Sequence, residues 1–455
     1  MILERFYHKG LAQASYVVAC PGAAEALVID PNRDIDQYLE FAASEGVQIV
    51  GVLETHIHAD YLSGSLELAE RTGANLYLSG EGPEEWQYQF ASHPLVRLVN
   101  HGDKISAGAI HLTVEHTPGH TPEHISFILT DKAASDTPLG AFTGDFLFVG
   151  DIGRPDLLER AAGMAGTMEA GANSLYRSIG TFASKYPDSL LIWPAHGSGS
   201  ACGKSLGGVP VSSLGYEKQV NWALQPMSQE EFVAKVLAGQ PDPPRYFAEM
   251  KIRNKVGPAK MSDRPQLVRA GQSPHEALVL DVRSALAIKS GSRTGAIGIP
   301  FGKSFVTNAG SLVPYDQNLS LIADSAEQAE LAARTLALIG LDQVIAWSGP
   351  EGSNGALIEI VHPDEIGQSF LIDVRNAAEF AEGHVPGAVN LPLPQLATRL
   401  AELPKDQPIV VMCQSGARAL VATTYLKRQF DAKLSSVGFS EWSACHTGER
   451  AGAVG

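Results

Sequence analysis

The sequence predicts an α/β protein throughout, with a layered α/β sandwich over residues 1–240 followed by two copies of a smaller, doubly wound α/β domain. Three observations predict this. Strand-like and helix-like segments alternate along the whole chain. The apolar run Ile49-Val50-Gly51-Val52-Leu53 leads into Thr55-His56-Ile57-His58-Ala59-Asp60-Tyr61, which sets imidazoles and a carboxylate at the mouth of a sheet. The phrase Leu278-Val279-Leu280-Asp281-Val282-Arg283 returns 92 positions later as Phe370-Leu371-Ile372-Asp373-Val374-Arg375, and a repeat of that length marks two copies of one domain.

Taken in order, 15–19 and 26–29 read as strands, the second ending on Asp30-Pro31, and 34–45 reads as a helix with an acidic start. The strand 49–53 and a helix over 62–72 flank the histidine motif. Shorter strands are expected at 76–78, 110–116, 125–129 and 141–143, with a turn at Asn100-His101-Gly102-Asp103. His120, Asp145 and His196 then fall at strand ends or in the loops after them, where a layered fold holds functional side chains on a rigid scaffold. From Ser228 the spacing of Phe232 and Val236 predicts an amphipathic helix closing this domain. Gln240-Pro241-Asp242-Pro243-Pro244 breaks the pattern and opens a linker over 241–262. The two copies of the repeat occupy 263–355 and 356–455.

Composition narrows the partners. A chain of 455 residues, 44% apolar and 18% charged, is globular and long enough for about three domains. Its formal charge of −16 argues against nucleic acid or an anionic membrane as a partner. With no signal-peptide core at Met1 and no run of about 18 apolar residues, a cytoplasmic protein is expected. Cys20, Cys202, Cys413 and Cys445 form no Cys-x-x-Cys pair and are expected to be free thiols.

His-x-His-x-Asp after a buried strand, followed by His120 in Thr-Pro-Gly-His-Thr, Asp145 in Phe-Thr-Gly-Asp and His196 in Trp-Pro-Ala-His-Gly, resembles the metallo-β-lactamase superfamily and implies its αββα sandwich. Two-zinc hydrolases of that superfamily usually carry a histidine where Tyr61 stands, and a phenol titrating near ~10 is a poor neutral substitute. Without it, His56, His120 and Asp145 would form a facial set of two imidazoles and a carboxylate, the ligand set of non-haem Fe(II) oxygenases. Zinc is the alternative metal, because the same ligands hold it. Within the superfamily the match to the persulfide dioxygenases is best, through 55–60 with Ser63-Gly64-Ser65, through Thr-Pro-Gly-His-Thr-Pro at 117–122, and through Asp151-Ile152-Gly153-Arg154-Pro155-Asp156. That resemblance implies one Fe(II), O2 and a low-molecular-weight thiol persulfide as reactants, with sulfite leaving. His58, Asp60, Tyr61 and His196 would orient the ligands or serve as alternative ligands. Arg154 would face the anionic part of the substrate. Cys202, six residues after His196, would contact substrate or take a sulfur atom.

The second repeat continues Gly383-His384-Val385-Pro386-Gly387-Ala388 and then Cys413-Gln414-Ser415-Gly416-Ala417-Arg418, which resembles the rhodanese sulfurtransferases. A thiol between a strand end and a helix N-terminus faces backbone N–H groups that favour its anion. Cys413 is therefore the expected sulfur carrier, cradled by the N–H groups of Gln414, Ser415, Gly416, Ala417 and Arg418. In the first copy the loop 323–328 has neither a cysteine nor a terminal arginine, and a silent rhodanese-like domain is expected there. The whole reads as a persulfide dioxygenase coupled to a sulfurtransferase. Its partners would be a persulfide of glutathione, coenzyme A or a similar thiol, O2, and sulfite as acceptor giving thiosulfate. The sequence leaves a homo-oligomer open. The alternatives are a zinc thioester hydrolase of the glyoxalase II type fused to a sulfur carrier, and a non-enzymatic sulfur-binding regulator.

Overall fold

A computed structural model describes residues 1–446 apart from 163–165, 205, 241, 271–273 and 275. Pro241, at the start of the expected linker, and the chain after His446, counted in the last expected domain, lie outside the described residues. Two compact units divide between Asp263 and Arg264.

The first unit holds two six-stranded sheets. One runs in the order β1 (Ile2–His8), β2 (Gln13–Cys20), β3 (Glu25–Ile29), β4 (Gln48–Leu53), β5 (Asn75–Ser79), β6 (Val96–Val99). The other contains β7 (Lys104–Ala107), β8 (Ile110–His116), β9 (Ile125–Asp131), β10 (Gly140–Gly144), β11 (Leu191–Pro194) and β12 (Ser212–Ser213), paired in sequence from β12 back to β7. The apolar strand runs are explained by burial on both faces. Along β2, Ala14, Tyr16 and Val18 meet Leu112, Phe127, Phe142 and Trp193 between the sheets. The intervening Val17 and Ala19 pack outward with Tyr38 of helix Asp36–Glu45 and Leu68 of helix Ser65–Thr72. A period of two thus feeds two cores at once. Helices Thr167–Lys185 and Gln229–Leu237 cover the far face of the second sheet through Leu175, Ile179, Phe182, Phe232 and Val236. The result is the αββα order. Truncating an inter-sheet aromatic such as Phe127 to Ala would cost roughly 3–5 kcal/mol.

The expected linker contains a helix, Tyr246–Val256, whose Tyr246, Phe247, Met250 and Asn254 are buried. The proline-rich breaker ends two residues before this helix begins, and tertiary packing rather than a strong apolar stripe holds it.

The second unit repeats one topology. Strands β13 (Val268–Arg269), β14 (Leu278–Asp281), β15 (Ile297–Gly298), β16 (Leu319–Ile322) and β17 (Val344–Ser348) form an all-parallel sheet in the order β13-β17-β16-β14-β15. Strands β18 (Ile360–Val361), β19 (Phe370–Asp373), β20 (Val389–Asn390), β21 (Ile409–Met412) and β22 (Ala432–Ser435) follow in the same relative order, β18-β22-β21-β19-β20, again all parallel. Each copy carries the same internal ion pair, Arg283 on Asp281 and Arg375 on Asp373. Among the described residues no helix is long and apolar enough to cross a membrane.

Candidate metal centre and thiol loop

Four chain segments meet at one edge of the sandwich: the loop after β4 with His56, His58 and Asp60, the loop after β8 with His120, and the residues just past β10 and β11, Asp145 and His196. Asp145 Oδ2 lies 3.6 Å from His120 Nε2 and 4.0 Å from His56 Nε2. Its Oδ1 lies 3.2 Å from His196 Nε2, which in turn is 3.3 Å from Asp60 Oδ2. All five side chains are buried. Both Asp145 oxygens, Asp60 Oδ2 and His196 Nε2 have no hydrogen-bond partner among the described residues. Unpartnered buried carboxylate oxygens are costly unless a cation completes them. Neighbouring ligand atoms about 2.0–2.2 Å from a shared ion stand roughly 3–3.6 Å apart; the separations of 3.2, 3.3 and 3.6 Å match this, and the 4.0 Å to His56 is wider.

The other ring nitrogens are already engaged, which aims Nε2 inward. His120 Nδ1 donates to the Arg154 carbonyl and His196 Nδ1 to the Ala12 carbonyl, each at 3.0 Å. His56 Nδ1 meets Thr55 Oγ1 at 3.0 Å, and that hydroxyl donates to Asp30 Oδ2 at 2.9 Å. Burial lowers His120 to about 4 and takes His56 well below the usual imidazole range, helped by His58 and His120 beside it. Both rings are therefore neutral, as a metal ligand must be. Against the cost of burial, His196 and His120 hold the Asp145 carboxyl below the usual carboxylate range.

Three triads have metal-ligand spacing: His56, His120 and Asp145; Asp60, His196 and Cys202; and Asp30, Glu54 and His58. In the third, His58 Nε2 stands 2.9 Å from Glu54 Oε2 and 3.2 Å from Asp30 Oδ1. Burial opposes its charge, but these two carboxylates raise His58 well above the ordinary imidazole value.

In the second unit, β21 ends at Met412 and the loop turns through Gly416, whose φ of +90° favours glycine, into helix Ala417–Leu426. Cys413 Sγ is buried and accepts from Gly416 N–H at 3.2 Å and Ala419 N–H at 3.3 Å. Arg418 Nη1 and Nη2 each donate to Glu379 at 2.7 Å. Gln414 accepts from Arg375 Nη1 at 3.0 Å and donates to Ser440 Oγ, while Ser415 and Ala417 are exposed. In the first copy, Ile322 pairs with Asp281 as Met412 pairs with Asp373, so Ala323 occupies the position of Cys413.

The sequence profile of the metallo-beta-lactamase superfamily matches residues 8–196, and that of the rhodanese-like domain matches 357–445. A crystal structure of a metallo-beta-lactamase from Staphylococcus aureus subsp. aureus COL is 41% identical, covering 77% of this chain and 99% of its own, with a TM-score of 0.71. This chain belongs to the metallo-β-lactamase superfamily and carries a rhodanese-like domain. Among curated superfamily relatives, hydroxyacylglutathione hydrolase of Polaromonas sp. is 32% identical over 43% of this chain and 66% of its own length. The mitochondrial persulfide dioxygenase ETHE1 of Bos taurus is 27% identical over 51% of this chain and 79% of its own.

Against this superfamily frame, several expected residues stand elsewhere. Arg154 is fully buried, with Nε and Nη2 on Asp156 at 3.0 and 2.7 Å and Nη1 on the Ala201 carbonyl at 2.9 Å. Its own carbonyl accepts from His120 Nδ1, which ties this buried arginine to the His120 loop. Cys202 lies in the second triad, and burial, reinforced by Asp145, pushes its thiol up to about 12, so it is a neutral thiol. Tyr61 belongs to none of the triads. Its hydroxyl donates to the Asp30 carbonyl at 3.2 Å and its ring lies 4.5 Å from that of His58. The cradle over Cys413 comes from residues 416 and 419, the latter one position beyond the expected five.

Other participants escaped the sequence reading. His124 Nε2 accepts the Asp145 N–H at 3.1 Å and fixes that ligand's backbone. Gly144, at φ +50°, leaves the room for this contact, since a Cβ there would come within 2.6 Å of the His124 ring and of Thr55. Asn254, from the helix in the expected linker, donates to the carbonyls of His58 at 2.8 Å and Tyr61 at 2.7 Å and accepts from Ser63 N–H at 2.9 Å. The second histidine of His-Thr-Pro-Glu-His at 120–124 is a visible signal in the sequence; Asn254 has none.

Proposed function

We propose that the chain is a mononuclear Fe(II) persulfide dioxygenase joined to a sulfurtransferase, with a thiol persulfide as substrate and the segment holding β13–β17 as a second, silent rhodanese-like domain. The observation that carries this is the single face of His56, His120 and Asp145, with Tyr61 turned away to Asp30, in a chain that also presents Cys413 to backbone N–H groups. When bound at those three residues, Fe(II) supplies the electrons and open coordination positions that the slow reaction of O2 with closed-shell sulfur requires. The net reaction is RSSH + O2 + H2O giving RSH, SO3²⁻ and two protons. The chain's residues hold the site in register. Arg154 and Ala12 carbonyls fix the imidazoles, and His124 fixes the Asp145 backbone. At the second site the Cys413 thiolate attacks the outer sulfur of RSSH, forming a cysteine persulfide as RS⁻ leaves. Sulfite then takes that sulfur, giving thiosulfate and returning the thiolate.

A zinc-dependent thioester hydrolase is the second reading, and the relatives' names favour it. Besides the Polaromonas enzyme they include a probable metallo-hydrolase of Burkholderia pseudomallei and a probable zinc-dependent hydrolase of Bacillus velezensis. Asp60, His196 and Cys202 beside the first triad would offer ligands to a second ion. Oxygen uptake separates the two. Protein loaded anaerobically with Fe(II) is expected to consume O2 with glutathione or coenzyme A persulfide and release sulfite or thiosulfate, while a zinc-loaded control does not. Hydrolysis of glutathione thioesters by the zinc form, without oxygen uptake by the iron form, would establish the hydrolase.

A further inference from the structure

The arginines around the Cys413 loop are paired with carboxylates. A sulfur donor or acceptor such as thiosulfate or sulfite is a dianion, and it must approach a thiolate or a persulfide anion. Cations at the loop would ease that approach, and two arginines are nearby. Both are matched by carboxylates. Arg375 is held on Asp373, with Nε at 2.8 Å and Nη2 at 2.7 Å, and its Nη1 is on Gln414. Arg418 is held in a two-bonded fork by Glu379 at 2.7 Å for each bond, and this pair is about a third exposed, at 33% and 28%. Among the described residues, the sulfur itself accepts hydrogen bonds from the N–H groups of Gly416 and Ala419.

We propose that Glu379 is the specificity-determining residue of this loop: by neutralising Arg418 it favours sulfane donors whose reacting sulfur carries no charge, thiol persulfides in the RSSH form, over the dianions thiosulfate and sulfite. The inference rests on the sulfurtransferase reading of Cys413. Its consequence is that the two halves of transfer are unequal. Loading, Cys413–S⁻ + RSSH giving Cys413–SSH + RS⁻, brings no second charge to the loop. Discharge follows loss of the persulfide proton to solvent: Cys413–SS⁻ + SO3²⁻ giving Cys413–S⁻ + S2O3²⁻ brings a dianion to a loop whose two arginines, Arg375 and Arg418, are both matched by carboxylates, and becomes the slower half.

Glu379→Gln is a mild probe. Glu379 also caps its own helix by accepting the Asn376 N–H at 3.2 Å, and glutamine serves equally at that position. The first readout needs no turnover. Alkylation of Cys413 is followed by mass spectrometry of its peptide, with anionic iodoacetate and neutral iodoacetamide, in wild type and variant. The ratio of the two rates is expected to rise about fivefold or more in E379Q, because a full charge is unmasked on Arg418, the residue next to the Ala419 N–H that the sulfur accepts from. That gain should shrink as salt is raised. The double variant E379Q/R418Q should return the ratio to the wild-type value, which a purely structural role for Glu379 would not produce. The second readout is steady-state, with KM for thiosulfate falling in E379Q while that for a thiol persulfide stays within about twofold. An unchanged alkylation ratio in folded E379Q, or a raised ratio that persists in the double variant, overturns the proposal. Failure of wild-type Cys413 to take sulfur from any donor would instead overturn the sulfurtransferase reading, and the alkylation ratio would still report on the charge of the loop.

Discussion

Both oxygens of Asp145 face imidazole nitrogens and neither has a hydrogen-bond donor among the described residues. One residue therefore joins the His56–His120 face to the Asp60–His196–Cys202 face. Its backbone is fixed independently by His124 and by Gly153, where a Cβ would lie 1.8 Å from the Asp145 carbonyl oxygen. The side chain is thus held by the main chain rather than by side-chain contacts. Asp145→Asn keeps the shape and removes the charge. The variant is expected to fold, to lose its metal by elemental analysis, and to lose activity on the order of 100-fold or more. Retention of one tightly bound ion per chain in D145N would show that the ligand set lies elsewhere, with Asp60, His196 and Cys202 as the next candidates.

At the scale of elements, the helix Tyr246–Val256 is a part of the metal centre that sequence alone hid. Asn254 satisfies three backbone groups of the turn 58–63, the turn that follows His56 and carries Asp60. Asn254→Ala leaves two carbonyls and one N–H without that partner in a buried site, a loss of about 2–3 kcal/mol in unfolding free energy. Metal affinity should fall about tenfold, since the turn positions Asp60 and the His56 loop. Denaturant unfolding checks the first and competition with a metal chelator the second; an N254A variant matching wild type in both would make this helix a bystander. The strands around the site were legible because two-sided burial writes itself as apolar runs, as in β2 and β4, and the ligands because they sit at the ends of those runs. What was not legible depends on contacts distant in sequence. Asn254 lies almost 200 residues from His58 and carries no motif. Arg154 shows a charge in the sequence, but not that Asp156, two residues on, folds back to neutralise it. Asp30 reads as a strand end, yet it takes a left-handed φ of +51° and receives both the N–H and the hydroxyl of Thr55.

Over the whole molecule, one sheet order occurs twice in the second unit, and the strand that leads into Cys413 in one copy leads into Ala323 in the other. Placing a cysteine at Ala323 would restore the missing atom, since the strand register sets that residue where Cys413 stands. It would not restore the loop. The helix after Cys413 begins four positions on, at Ala417, whereas helix Ala326–Ala337 begins three positions after Ala323. The left-handed Gly416 has no counterpart, and Ser325 is extended at φ −152°. Gln328 N–H, third in its helix as Ala419 is in its own, is already taken by Ser325 Oγ at 3.1 Å, and Asp324 N–H is taken by Gln328 Oε1 at 2.7 Å. Asp324 adds a negative charge beside the site, which disfavours a thiolate. In a C413S background, A323C is therefore expected to form no persulfide with a thiol persulfide donor, as read by mass spectrometry of the 323 peptide, and to leave sulfur transfer abolished. Rates at 323 within about tenfold of those at Cys413 would mean that a buried strand-end thiol suffices and that the N–H cradle contributes little. The absence of transfer would mean that the loop backbone at 323–328, and not only the missing thiol, keeps the first copy from taking sulfur.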